Sequence, residues 1–124
     1  MKKLIGKYNI GPTYVKLFLT DDWGGSFTFL PEDGSTTEIE VGFGGGDWSQ
    51  TISALTHEAL EFACCQTCCR FQPDPDYGND NASFVFILRH DQLSEVAARV
   101  ANFISSSMPD LAEAFNKLKK KDKS

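Results

Sequence analysis

Two side chains that can bind a metal ion or transfer a proton are spaced four residues apart, at His57 and Glu61, with a second carboxylate at Glu58. On a helix, residues four apart project from the same side, so the imidazole of His57 and the carboxylate of Glu61 can reach one point in space. Imidazole and carboxylate groups are both ligands of zinc. The spacing therefore predicts that this pair could hold a divalent metal ion.

A third ligand has to come from elsewhere in the chain, and His90 is the best candidate. It follows an apolar segment, residues 83–88, that the sequence predicts to be a strand buried on both faces. A buried strand in so small a chain must pass close to a central helix, which would bring His90 near the metal pair. Asp80 and Asp91 are reserve candidates.

Two metal-free interpretations of the same residues remain open. In the first, His57 is part of a structural network and donates to a backbone carbonyl or to Glu61, while Glu58 lies on the surface. In the second, the histidine and the glutamates form an acid-base site. A serine or cysteine nucleophile is not supported, because a hydroxyl in the middle of a helix lacks the strained turn that presents such a group.

The helix that must carry these residues is predicted over residues 47–70. Asp47 is the expected N-cap, with Gln50 three residues later completing a capping box. One helical face is apolar, made of Trp48, Ile52, Leu55, Ala59, Phe62 and Ala63. The only charged residues between positions 48 and 70 are Glu58, Glu61 and Arg70, so we expect the helix to be covered on most sides.

The four cysteines lie together at Cys64, Cys65, Cys68 and Cys69. A secreted disulfide framework spreads its cysteines along the chain, so this cluster predicts reduced thiols. Three roles are open for them: packing as small soft side chains, metal binding by Cys64 and Cys68, or redox chemistry. Cys64 and Cys68 lie seven and eleven residues after His57, so they extend the stripe that starts with His57 and Glu61.

The rest of the chain predicts a single α+β domain, residues 1–124. Alternating apolar residues over 4–10, 14–20, 26–30 and 37–43 predict a four-stranded antiparallel sheet within residues 1–46. After the central helix and a polar loop at 72–82 come the strand at 83–88, a helix at 92–106 that the serines at 105–107 end, and a further helix from Pro109. The strand and these helices make up residues 83–118. Residues 119–124 are predicted to be a disordered basic tail.

Residues 56–61 resemble the HExxH helix of minimal zincin-type domains, with Glu61 in place of the second histidine. The order of sheet, HE helix, strand and closing helix is similar too. More loosely, residues 43–115 resemble small uncharacterised phage and prophage proteins, through the Arg70-Phe71 step, a Phe-rich strand ending in His90, and a Pro-Asp-Leu sequence near the C-terminus. The zincin resemblance implies that Glu58 activates a metal-bound water.

Composition limits the classes of partner. The 124 residues carry a net charge of −5, and between Lys16 and Arg70 there are nine Asp or Glu and no Lys or Arg. Such an acidic body argues against nucleic acid as a partner.

No apolar run approaches the roughly 18 residues of a membrane span, and no secretory leader follows the first residues. We therefore predict a cytoplasmic protein (in the host cytoplasm if phage-encoded) without a membrane partner.

Two functions are consistent with these features. The first is a metal-dependent, hydrolase-like phage accessory protein in which His57, Glu61 and His90 hold zinc and Glu58 is catalytic. The second is a non-catalytic binding protein of the counter-defence type, which binds a host protein or a small molecule. Its 15 aromatic residues would then line a pocket or a homodimer interface.

Overall fold

A computed structural model describes residues 1–28, 36–72 and 84–122 of the chain. Its elements are β1 (Lys2–Ile10), β2 (Thr13–Thr20), β3 (Gly25–Phe27), β4 (Thr37–Gly42), α1 (Trp48–Gln66), β5 (Arg70–Phe71), β6 (Val85–Phe86) and α2 (His90–Asp122). A four-stranded sheet is followed by two helices and a small second sheet. The predicted α+β fold is confirmed.

The order of strands in the large sheet is β1-β2-β4-β3, which differs from an antiparallel meander. β1 pairs with β2 and β3 pairs with β4 in antiparallel fashion, but β2 and β4 are parallel. β4 takes the inner position because its alternate residues, including Ile39 and Val41, are buried. β3 has only three residues and no buried one, so it lies at the edge. The sheet is therefore mixed.

Helix α1 begins where the sequence predicted it. The Asp47 carboxylate accepts hydrogen bonds from the backbone N–H of Ser49 at 3.0 Å and from its hydroxyl at 2.7 Å, which makes it the N-cap. The helix ends at Gln66, four residues before the predicted limit. Cys68 follows with a φ of +60°, a left-handed conformation that no α-helix contains.

Helix α2 is one continuous helix of 33 residues, whereas the sequence predicted a break at residues 105–107. The serines are accommodated because their hydroxyls donate to carbonyls one turn earlier: Ser106 to Asn102 at 2.8 Å, and Ser107 to Phe103 at 2.7 Å. Pro109 lies inside the helix. The basic residues at 119–121, predicted to be disordered, belong to its last turn, and residues 123 and 124 lie outside the described part.

The predicted strand at 83–88 is short and exposed. Only β6 is extended there, and it pairs antiparallel with β5 to form the second sheet. Val85 and Phe86 are both exposed, so the predicted burial on two faces is wrong. His90 is the first residue of α2 and does not end a buried strand. The predicted loop at 72–82 lies outside the described residues, apart from Gln72.

The core lies between the large sheet and the two helices. Its largest members, Phe62, Phe103 and Phe115, are fully buried. α2 packs on both β1 and α1, and Tyr8 of β1 donates to Asp110 at 2.6 Å. This packing holds α1 with one long side on the sheet and leaves its central part facing β3 and β5. Among the described residues, no helix is long and apolar enough to cross a membrane.

Candidate functional site

A cavity of about 860 Å³ opens beside the middle of α1. Its walls come from β3, α1, Arg70 of β5, the segment around β6, and the first turns of α2. The polar lining residues are Ser26, His57, Glu58, Glu61, Cys64 and Arg70. The large apolar ones are Phe27, Leu60, Phe84, Phe86, Leu88, Leu93 and Val96. Four residues that the sequence singled out, His57, Glu58, Glu61 and Cys64, therefore line the cavity from α1.

The neighbours His57 and Glu58 have opposite environments. The His57 side chain is 69% exposed, whereas Glu58 is only 7% exposed. Glu58 is four residues from Ala54 and four from Phe62, so it projects from the buried face of α1. The structural-network interpretation placed Glu58 on the surface, whereas the structure buries Glu58 and exposes His57.

The Glu58 carboxylate lies against β3. A Cβ atom added to Gly25 would come within 3.0 Å of Glu58 Cγ and 3.4 Å of Oε1, so the glycine allows the strand and the side chain to approach closely. Within residues 1–28, 36–72 and 84–122, no hydrogen bond or ion pair reaches this carboxylate. Burial raises the pKa of Glu58, the charge of Glu61 raises it further, and a charge on His57 opposes them. Glu58 thus holds its proton more tightly than an exposed glutamate.

Glu61 is held between a histidine and an arginine. Arg70 Nη1 donates to Glu61 Oε1 at 3.1 Å, and His57 Nε2 lies 3.4 Å from Glu61 Oε2. The Arg70 guanidinium also lies over two aromatic rings, 4.2 Å from the centroid of Phe84 and 5.8 Å from that of Phe27. The charge of Glu61 is therefore balanced by Arg70, whereas no residue in the described part of the chain forms an ion pair with Glu58.

The predicted metal ligands are only partly brought together. His57 and Glu61 are in contact, but His90 is exposed and does not line the cavity. Asp91 is paired with Arg89 at 3.2 Å, and Asp80 lies outside the described residues. In the described part of the chain no three His, Cys, Asp or Glu side chains are placed to hold a metal ion. These residues do not fit a three-ligand zinc site, and zinc stays a prediction from the motif.

All four cysteines are free, as the reduced-thiol prediction requires. Cys64 lines the cavity, and burial raises the pKa of its thiol to about 11. It is thus a neutral thiol near pH 7 and a poor nucleophile. The proposed Cys64/Cys68 metal edge does not form on α1, because Cys68 follows the end of the helix.

Sequence reasoning missed the partners that shape this site. The sequence analysis gives Arg70 no role in the site, although it is the first Lys or Arg after Lys16 and follows a long acidic stretch. That isolation was an available signal, since a buried helix with two carboxylates needs a cation nearby. Phe27 and Phe84 gave no such signal, because their convergence depends on the placement of β3 and β6.

Comparisons of this chain with family models, with curated proteins and with solved structures give no match. The resemblance to zincin helices and to small phage proteins therefore depends on the motifs alone. It stays a prediction. The geometry of the cavity is the basis for the functional argument that follows.

Proposed function

We propose that this chain is a small-molecule-binding protein, and that the cavity beside α1 holds a largely apolar molecule with one polar end. The observation that carries the proposal is the cavity itself. Its volume of about 860 Å³ lies within the roughly 300–1,000 Å³ typical of ligand sites. Its lining is mainly aromatic and aliphatic, with a few polar groups gathered on one wall.

The apolar lining includes side chains that are exposed to water in the free protein and that a bound ligand would cover. Leu60, Phe86 and Leu93 all line the cavity and are exposed. Apolar surface removed from water contributes roughly 25 cal/mol per Å², so a ligand that covers these side chains is stabilised. A molecule without an apolar body would leave this surface in water.

The polar groups supply orientation. Glu58 and Glu61 lie on α1, and Arg70 reaches the same wall from β5. Because the opposite lining is formed mostly by phenylalanine and leucine side chains, only one end of a bound molecule can meet hydrogen-bonding groups. This arrangement supports the binding-protein interpretation more than the hydrolase one, since the described residues hold no catalytic metal set. Phage origin and a host-protein partner stay predictions.

Titration with the neutral fluorescent probe Nile red tests the proposal. We expect saturable binding of about one probe per chain and displacement by small apolar molecules. The double variant Leu60→Gln/Leu93→Gln removes apolar lining and is expected to weaken binding about tenfold or more, because each exposed leucine contributes on the order of 1 kcal/mol.

The matched control is Leu4→Gln/Ile87→Gln, which changes two equally exposed apolar residues that do not line the cavity. This control should bind the probe as the unchanged protein does. Thermal unfolding of each variant verifies that it is folded. Equal loss of probe binding in both double variants, or no saturable binding at all, contradicts the proposal.

A further inference from the structure

The charge on the cavity wall is not balanced. Glu61 is paired with Arg70 at 3.1 Å, and among the described residues no cation forms an ion pair with Glu58. The other lining residues from β3, from the segment around β6 and from α2 contribute no titratable group, and the Cys64 thiol is neutral near pH 7. When His57 is uncharged, the described lining therefore carries one excess negative charge.

Glu58 is placed so that a ligand could reach it. It is more than nine-tenths buried, it lines the cavity, and no described residue donates a hydrogen bond to it. Its oxygens are open to the cavity, because no fully buried side-chain oxygen or nitrogen of the described residues lacks a hydrogen-bond partner. A cation supplied by a ligand could therefore reach the carboxylate and form a charge-assisted hydrogen bond with it.

The aromatic lining also favours a cation. The rings of Phe27 and Phe84 already face a positive group, the Arg70 guanidinium, and Phe86 adds a third ring to the lining. The face of an aromatic ring attracts a cation through the ring quadrupole. An anionic ligand would instead meet two carboxylates and an arginine that is already paired. A neutral ligand could use the apolar lining but would leave Glu58 without a partner.

We infer that the ligand of this cavity is an organic monocation, an apolar molecule bearing one amine or quaternary ammonium group, and that Glu58 is its counter-ion. The inference rests on the small-molecule binding proposed above and names the class of molecule bound. Glu58 receives the ammonium group, and the phenylalanine and leucine side chains cover the apolar body. Gly25 leaves room for the carboxylate between α1 and β3.

Three ligands on one carbon frame test the inference: 4-phenylbutylamine, 4-phenylbutan-1-ol and 4-phenylbutanoate. Calorimetry at pH 7.5, with Nile red displacement as a second readout, gives each affinity. We expect the amine to bind at least tenfold more tightly than the alcohol, and the carboxylate to bind most weakly. The Glu58→Gln variant keeps the side-chain shape and should bring the amine and the alcohol within about twofold of each other.

Glu113→Gln is the control, because Glu113 is an exposed glutamate on α2, outside the cavity. It should retain the preference for the amine. Equal binding of all three ligands overturns the cation inference and leaves the proposed function standing. A preference for the amine that survives in Glu58→Gln also overturns the cation inference, because Glu58 is then not the counter-ion, and it too leaves the proposed function standing. The absence of any binding, Nile red included, overturns both. If Glu58→Gln does not fold, the comparison among ligands on the unchanged protein still tests the preference for a cation, and Glu58→Asp, which keeps the charge and shortens the side chain, tests the role of Glu58: an amine affinity equal to that of the unchanged protein would contradict direct pairing.

Discussion

At the scale of single residues, the site depends on which carboxylate of α1 is buried. Glu58 and Glu61 are three residues apart, yet Glu61 has an arginine partner and Glu58 has none among the described residues. Burial raises the pKa of Glu58 above its ordinary value of 4.5. A buried carboxyl group without a partner reduces stability once it ionises, which suits a ligand-binding residue better than a structural one.

Glu58→Gln is expected to change stability in a pH-dependent way. The carboxyl group binds its proton more tightly in the folded than in the unfolded chain. Its contribution therefore favours folding below about pH 4.5 and is lost as the pH rises through the folded-state pKa. Glutamine does not titrate. The variant should be more stable than the unchanged protein at pH 7, with the difference shrinking towards pH 4.

Thermal unfolding of Glu58→Gln and Glu113→Gln between pH 4 and 8 measures this effect. Because Glu113 is exposed, its variant should follow the unchanged protein at every pH. A Glu58→Gln variant that is less stable at pH 7 than at pH 4, relative to the unchanged protein, would show that the ionised carboxylate has a partner in the folded chain.

Arg70→Ala is expected to destabilise the fold by about 1–3 kcal/mol, because it leaves the Glu61 carboxylate, 16% exposed, without its charged donor. It also removes the cation from the rings of Phe27 and Phe84. Urea unfolding measures the loss in the free energy of unfolding, and a double-mutant cycle with Glu61→Gln measures the coupling energy between the two residues.

Arg89→Ala is the control, since its ion pair with Asp91 is exposed and should contribute almost nothing to stability. Equal losses from the two arginine variants would contradict this assignment.

At the scale of elements, the continuity of α2 through Pro109 is the least expected feature. A proline inside a helix removes the backbone N–H that would bond to the carbonyl four residues earlier, and this costs about 3 kcal/mol in a helix interior. The sequence had placed Pro109 at the start of a separate helix, where it has no such cost.

Pro109→Ala distinguishes these arrangements. In one continuous helix the variant should be more stable by at least about 1 kcal/mol, because the missing hydrogen bond can form. Circular dichroism during urea unfolding measures both helicity and stability. If the variant is unchanged or less stable, Pro109 is better described as the first turn of a second helix. Ala112→Gly provides a control for helicity in the same turn, since it should destabilise in either arrangement.

At the scale of the whole molecule, the cavity joins segments that are distant in the chain. Residues 25–27, 57–64, 70 and 84–96 contribute to it, and they come together only when both helices and both sheets are assembled. A ligand that binds the folded chain alone will therefore stabilise the whole molecule, by an amount that rises with the logarithm of its concentration above Kd. The same assembly brings His57 and Glu61 into the cavity lining and keeps His90 out of it.

The zinc prediction has a direct test in elemental analysis of protein purified without a polyhistidine tag. We expect less than one zinc per chain, because Glu61 is already ion-paired with Arg70 and the described residues supply no third ligand. One zinc per chain would contradict this expectation. It would support a zinc site at His57 if both acidification and the His57→Ala substitution remove the metal. Acidification protonates the imidazole and the substitution removes it, and only a neutral imidazole can bind zinc.

The sequence by itself determined the features that depend on local spacing. The α+β class, the N-cap at Asp47 and the common helix of His57, Glu58 and Glu61 all follow from hydrophobic period and capping within a few residues. These signals need no knowledge of distant segments. They therefore place the candidate residues on the right element.

Only the tertiary structure decided how those residues are used. The parallel pairing of β2 with β4, the burial of Glu58 against Gly25 and the pairing of Glu61 with Arg70 all join segments separated along the chain. The hydrophobic pattern of a single segment cannot show which distant segment it will pair with, because that pattern is the same in every alternative pairing. The alternatives differ in which side chains come into contact. Packing and the cost of burying a charge select among them.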